Sequence, residues 1–146
     1  MKTARRKARE IALQALYAWQ IGGGSVAEVL EQARALEGWE RSDRALAEAL
    51  VRGVIEHAAE LEAMITPCVE ARAFAQLSPI ERGILYAAAL ELSRHLETPF
   101  KVVVNEAIEL GKAFGGTDGH RFVNGVLERL ARSLRPEEAA RAKQTA

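Results

Sequence analysis

The chain has a single cysteine, Cys68, in 146 residues. An intramolecular disulfide is therefore impossible, and a cysteine cage for a metal is excluded with it. Cys68 is expected to be a small buried hydrophobe. No apolar run approaches the ~20 residues that cross a bilayer, and the charged N-terminus lacks the apolar core of a secretion signal. A cytoplasmic protein that does not enter the membrane is expected. Net charge is missing too: 20 Lys and Arg balance 20 Asp and Glu, so overall electrostatics select no partner. The glycine clusters Gly22-Gly23-Gly24 and Gly115-Gly116 lack the Lys-Ser/Thr of a phosphate-binding loop and follow no predicted strand. His57, His95 and His120 fall on separate segments, with no carboxylate at metal-ligand spacing. The carboxylates scatter over helix faces as solvated charge does. Neither catalysis, nor a metal, nor a cofactor is expected.

What is present is an ordinary globular composition, 49% apolar and 27% charged. The length fits one domain, residues 1–146, in which roughly 70% of the unfolded surface is buried. Charge is unevenly spread. Residues 1–20 hold Lys2, Arg5, Arg6, Lys7 and Arg9 against Glu10 alone, residues 21–72 hold ten acids against five Arg, and residues 115–146 are again basic. Basic ends around an acidic middle favour an anion-binding face.

Helical signals follow one another along the whole chain. Thr3 is placed to cap a first helix with Ala8, Ile11, Ala12, Ala15, Leu16 and Trp19 at helical spacing, stopped at Gly22-Gly23-Gly24. Ser25 with Glu28 is a capping box for a short helix to about Leu36. Ser42 or Asp43 opens a long helix whose stripe runs from Leu46 through Val54 to Ile65, ended by Pro67, and a short helical piece follows to about Ala75. Ser78-Pro79-Ile80-Glu81 combines a cap, a first-position proline and a box glutamate. The helix it opens is apolar nearly all round and should be central. Further helices are predicted from about Val102 to Phe114, from Thr117 or Asp118 to about Leu134, and weakly from Pro136. With no hairpin signal and no internal repeat, the expected fold is all-α, with six to seven helices packed antiparallel through short loops.

Two constellations exceed what local structure requires. The first helix starts with five cations, although cations there oppose the helix dipole; phosphate binding supplies the missing reason, against a solvated helix start. Opposite its core face lie Leu13 and Tyr17, a second apolar patch for either a further packing layer or a partner. In the last third, His120, Arg121 and Phe122 occupy the first turn of a helix. Backbone N–H groups, a cation and a ring together suit an anionic, stackable ligand. Phe122 also lies at the edge of the Val123, Val126, Leu127, Leu130 stripe and could be core. Gly125 within that helix implies close approach of another helix, since it costs about 1 kcal/mol relative to Ala. These features point to a small RNA-binding protein.

The segments ARRKAREIALQALYAWQ at 4–20, SPIERGILYAAALEL at 78–92 and PFKVVVNEAIELGKAFGGTDGHRFVNGVLERL at 99–130 resemble the NusB family of bacterial transcription antitermination factors. Residues 21–77 are similar mainly in pattern, and Gly22-Gly23-Gly24 and Gly119 depart from it locally. The resemblance implies two three-helix bundles sharing a core. It implies binding of single-stranded boxA RNA in ribosomal RNA operons together with NusE, a small-subunit ribosomal protein. It also implies entry into the antitermination complex on elongating RNA polymerase. For RNA it implies Arg5, Arg6, Lys7, Arg9 and Phe122, to which charge and position add Lys2 and Arg121. For the protein partner or antitermination activity it implies Tyr17, Glu81 and Asp118, with capping as the alternative role of Asp118. Some members of the family self-associate through the RNA-binding region, so a homodimer is compatible with it. Two other readings remain: a helical protein–protein adaptor without RNA binding, and a module similar to the N-terminal domain of ribosomal RNA cytosine methyltransferases. The second would be a stand-alone one, since the chain has no room for a methyl-donor domain and no catalytic cysteine motif.

Overall fold

Helix starts written into the sequence set most of the architecture. A computed structural model describes residues 2–69, 73–115 and 119–145. Among these residues every regular element is helical: α1 Ala4–Gly22, α2 Val26–Arg34, α3 Arg44–Glu56, α4 Ala58–Ile65, α5 Pro79–Arg94, α6 Phe100–Phe114, α7 Gly119–Leu134 and α8 Pro136–Thr145. Short 3-10 turns lie at Trp39–Arg41, Thr66–Cys68 and Phe74–Gln76. The fold is all-α, with one helix more than the six to seven expected. The described helices include none long and apolar enough to cross a membrane.

The caps follow side-chain chemistry. Thr3 Oγ1 accepts from the Arg6 N–H at 3.0 Å, and Asp43 Oδ1 accepts from the Leu46 N–H at 3.0 Å. Ser25 with Glu28 and Ser78 with Glu81 each form a complete capping box. Gly23, at φ 72°, ends α1 in a conformation that L-residues avoid.

The chain divides into two compact units, Met1–Ala58 and Ala59–Ala146. In the first, α1 packs on α2 and α3. In the second, α5, α6 and α7 pack on one another and α8 packs on α7. Ten successive residues of α5, Gly83 to Leu92, are buried, as its nearly all-round apolarity requires.

Three expectations are corrected. The long helix expected from residue 43 to Pro67 is two helices, because His57 leaves helical geometry at φ −120° and ψ 22°. Leu46, Leu50, Val54, Leu61 and Ile65 are all buried on either side of the break, so the apolar period runs through it unchanged. In place of one helical piece after Pro67 stand the 3-10 turns at Thr66–Cys68 and Phe74–Gln76. Gly125 does not admit a neighbouring helix: among the described residues, a Cβ there would meet only the Arg129 guanidinium, at 3.8 Å.

A feature that the sequence did not announce ties the second unit together. Arg135 is 7% exposed. Its Nε donates to Leu92 O at 3.0 Å, Nη1 to Thr98 O at 2.6 Å, and Nη2 to Glu91 O at 3.0 Å and His95 O at 3.1 Å. The guanidinium thus donates to carbonyls at the C-terminal end of α5, where an α-helix runs out of N–H donors. Nη1 also pairs with Glu138 at 3.1 Å, and the other Glu138 oxygen accepts from the Phe100 N–H at 2.8 Å, at the start of α6.

Candidate nucleic-acid interface

In the first unit, the start of α1 carries cations with no acid in its first turn. Lys2 and Arg5 are exposed, and Arg6 and Lys7 half-buried. Lys2 Nζ lies 2.8 Å from Glu10 Oε2, and Arg5 Nη1 lies 3.4 Å from Asp43 Oδ2. Both cations are exposed, so these pairs contribute little and can be exchanged for a phosphate. Asp43 is already the cap of α3, so Arg5 sits above a second helix start.

Arg9 departs from the expected cation face. It is only 4% exposed. The physical reason is its register: Ala12, Leu13 and Leu16, at three, four and seven residues on, are all buried, and Arg9 shares their side of the helix. Among the described residues no buried side-chain nitrogen or oxygen lacks a hydrogen-bond partner, so its guanidinium is satisfied inside the protein. Leu13 is buried too, at 2%, whereas Tyr17, one turn on, is 42% exposed. The second apolar patch is therefore split between core and surface.

In the second unit, α7 opens with Arg121 exposed and Phe122 half-buried, directly before the fully buried Val123. The ring is neither core in the manner of Val126, Leu127 and Leu130 nor simply solvated. With α6 and α8, α7 also lines a groove of about 480 Å³, among whose walls are Phe100, Val104, Asn105, Ile108, Asn124 and Arg132. Asn105 and Asn124 lie in the segments similar to the family but are expected in no site; their spacing to Ile108 and Glu128, three and four residues on along their helices, is the signal that places them on this groove. Glu81 is half-buried, with Oε1 accepting from the Ser78 N–H at 3.1 Å. Asp118 lies outside the described residues.

The described residues hold no cluster of three metal-ligating side chains. Cys68 is buried, as expected, and desolvation pushes its thiol up, against a smaller opposing effect of the Arg129 charge. That makes it a poor nucleophile.

The family model described as the NusB family matches residues 6–132. The chain belongs to the NusB family. It is 45% identical over 144 residues to the transcription antitermination protein NusB of Paraburkholderia xenovorans, covering 99% of each chain. It superimposes on NusB of T. maritima with a TM-score of 0.79 at 29% identity, covering 100% of both chains. A chain in the crystal structure of antitermination factors NusB and NusE in complex with dsRNA shares the fold, with a TM-score of 0.76 at 24% identity over 88% of this chain and 96% of that one. NusB-family proteins are transcription factors and not enzymes.

Proposed function

We propose that this protein is a cytoplasmic transcription antitermination factor that acts as a single RNA-binding module. It binds boxA RNA of ribosomal RNA operons together with the ribosomal protein NusE and joins the elongating RNA polymerase. The observation that carries the reading is the start of α1, where Lys2, Arg5, Arg6 and Lys7 gather with no acid in the first turn, on a chain whose relatives are antitermination proteins along nearly their whole length. Cations at a helix N-terminus work against their own helix, and a polyanion resolves the conflict. Phe122 and Arg121, at the start of α7, supply a stacking surface and a further cation. Arg9 is withdrawn from this set because it is buried. NusE, the partner in the solved complex of a protein of the same fold, supplies the protein ligand. Glu81, Tyr17 and Asp118 are assigned to it, as an acidic and aromatic set suited to a basic ribosomal protein.

Fluorescence titration of boxA RNA against the full chain, with and without NusE, tests the reading. Four or five neutralised phosphates give a slope of log K against log salt of about −3 for single-stranded RNA, and each ligand tightens the other if both sit on one platform. A slope near zero, or no binding in the presence of NusE, overturns RNA binding and leaves a protein–protein adaptor. The Lys2–Glu10 and Arg5–Asp43 pairs favour that second reading to the extent that they hold the cations at home.

A further inference from the structure

Beyond its cationic start, α1 changes character. Residues 10–33 contain no Lys or Arg and three Glu. Along this stretch Gln14, Tyr17, Ala18 and Ile21 are exposed at spacings of three, four and seven residues, which is one face of a helix. Ile21 is 64% exposed and Tyr17 42%, one turn apart. The same helix buries Ile11, Ala12, Ala15 and Leu16 on its core side, so Ile21 belongs to no internal layer.

Gly22 adds an independent observation. It is the last residue of α1, has no positive φ, and a Cβ built on it meets nothing within 4 Å. Neither backbone conformation nor packing among the described residues asks for glycine there, and glycine weakens a helix. Its neighbour Gly23 is different, since its φ of 72° ends the helix. A residue kept without a side chain beside an exposed isoleucine fits close approach by another molecule's backbone.

Charge selects which molecule. Beyond Arg9 a polyphosphate chain would meet no Lys or Arg of α1, and α1 has no basic residue in its last turn to offset the negative end of its dipole. Glu28 and Glu31 are exposed on the helix that follows. An apolar anchor set in negative potential suits a basic protein and not a nucleic acid.

Resting on the proposed partnership with NusE, we infer that Ile21 and Gly22 extend the Tyr17 contact into the docking surface for that protein. Ile21 is the hydrophobic anchor and Gly22 the point of backbone approach. One helix then divides its ligands along its length, RNA at the start and the basic protein at the end.

The test is calorimetry of the full chain with NusE and, separately, with boxA RNA, for Ile21→Ser and Gly22→Ala beside the unaltered protein. Ile21→Ser should weaken NusE binding about tenfold or more, as truncation of an interface anchor does, with RNA affinity and Tm unchanged. Gly22→Ala should keep or raise Tm, because alanine favours the helix, yet also weaken NusE binding. NusE affinity within about twofold of the unaltered protein for both variants, measured against a tenfold effect expected of an anchor, overturns the inference and leaves the proposed function standing. If the unaltered protein itself fails to bind NusE, both fall. Loss of self-association in a sedimentation experiment, with NusE binding intact, assigns the face to a second copy of the chain and overturns the inference. Loss confined to RNA does so as well.

Discussion

The starts of α1 and α5 are capped alike and charged oppositely. Each has a hydroxyl cap accepting from the third helical N–H, Thr3 in one and Ser78 in the other. Behind Ser78 stand a first-position proline and Glu81, whose carboxylate returns to the cap. Behind Thr3 stand Arg5, Arg6 and Lys7, and no acid. Local physics accounts for the cap, the proline and Glu81 at the start of α5, each of which lowers the helix's own free energy. It accounts for only half of the start of α1. Where a helix start satisfies itself, function needs separate evidence, as it does for Glu81. Where a start opposes its own dipole, the excess itself points to a ligand.

The largest effect that should separate the two starts comes from replacing Lys2, Arg5, Arg6 and Lys7 together by alanine. RNA affinity at 0.1 M salt should fall by about two to three decades, with the salt slope reduced nearly to that of Arg121 alone. Thermal unfolding should occur at the same temperature or higher, because the unfavourable dipole interaction is gone. Unchanged RNA binding would return these cations to the role of a solvated helix end.

Phe122→Ala extends the comparison to α7, whose first turn also lacks an acid. Loss of base stacking should cost about 1–3 kcal/mol of RNA affinity. An equal loss in unfolding free energy would make the half-buried ring a core residue and remove α7 from the ligand-facing class.

At α5 the expected signature is reversed. Ser78→Ala should lower stability by about 1 kcal/mol and leave both ligands bound. Glu81→Gln keeps a residue able to complete the capping box while removing the charge, so NusE affinity should drop and stability hold. Denaturant unfolding beside a NusE titration distinguishes the two; a stability loss from Glu81→Gln with no binding loss would reduce Glu81 to its cap.

The smallest effect concerns acid. At the start of α2, the Ser25 N–H and then the Ser25 hydroxyl hold the Glu28 carboxyl below the ordinary carboxylate range. A depressed folded-state pKa contributes stability that is present at neutral pH and lost as pH falls through that value. Glu28→Gln should therefore flatten the stability curve below about pH 5, as read from urea midpoints at several pH values.

What the sequence disclosed follows the same division. Ser25, Asp43 and Ser78 declare their helices because a cap acts within three residues. The central place of α5 is readable because apolarity on all sides leaves no other. The break at His57 stayed hidden because the buried positions keep step across it. Arg9 was misplaced because a cation in a basic run reads as solvated, whereas its neighbours at helical spacing are all core. Arg135 gave no signal since the groups it binds are mostly backbone carbonyls, which every sequence possesses.

Arg135 also imposes an order on synthesis. It lies 37 to 44 residues downstream of the carbonyls it satisfies. While the chain emerges from the ribosome, α5 can form, with Glu91 O accepting from the His95 N–H and His95 O from the Thr98 N–H, but the remaining acceptor capacity at its C-terminal end is left to water until residue 135 is free of the exit tunnel. The corner between α5 and α6 thus closes only after α7 has been made, with the start of α8. A nascent chain arrested before that point should keep this corner open to proteases and chaperones, even with most of its hydrophobic core already assembled.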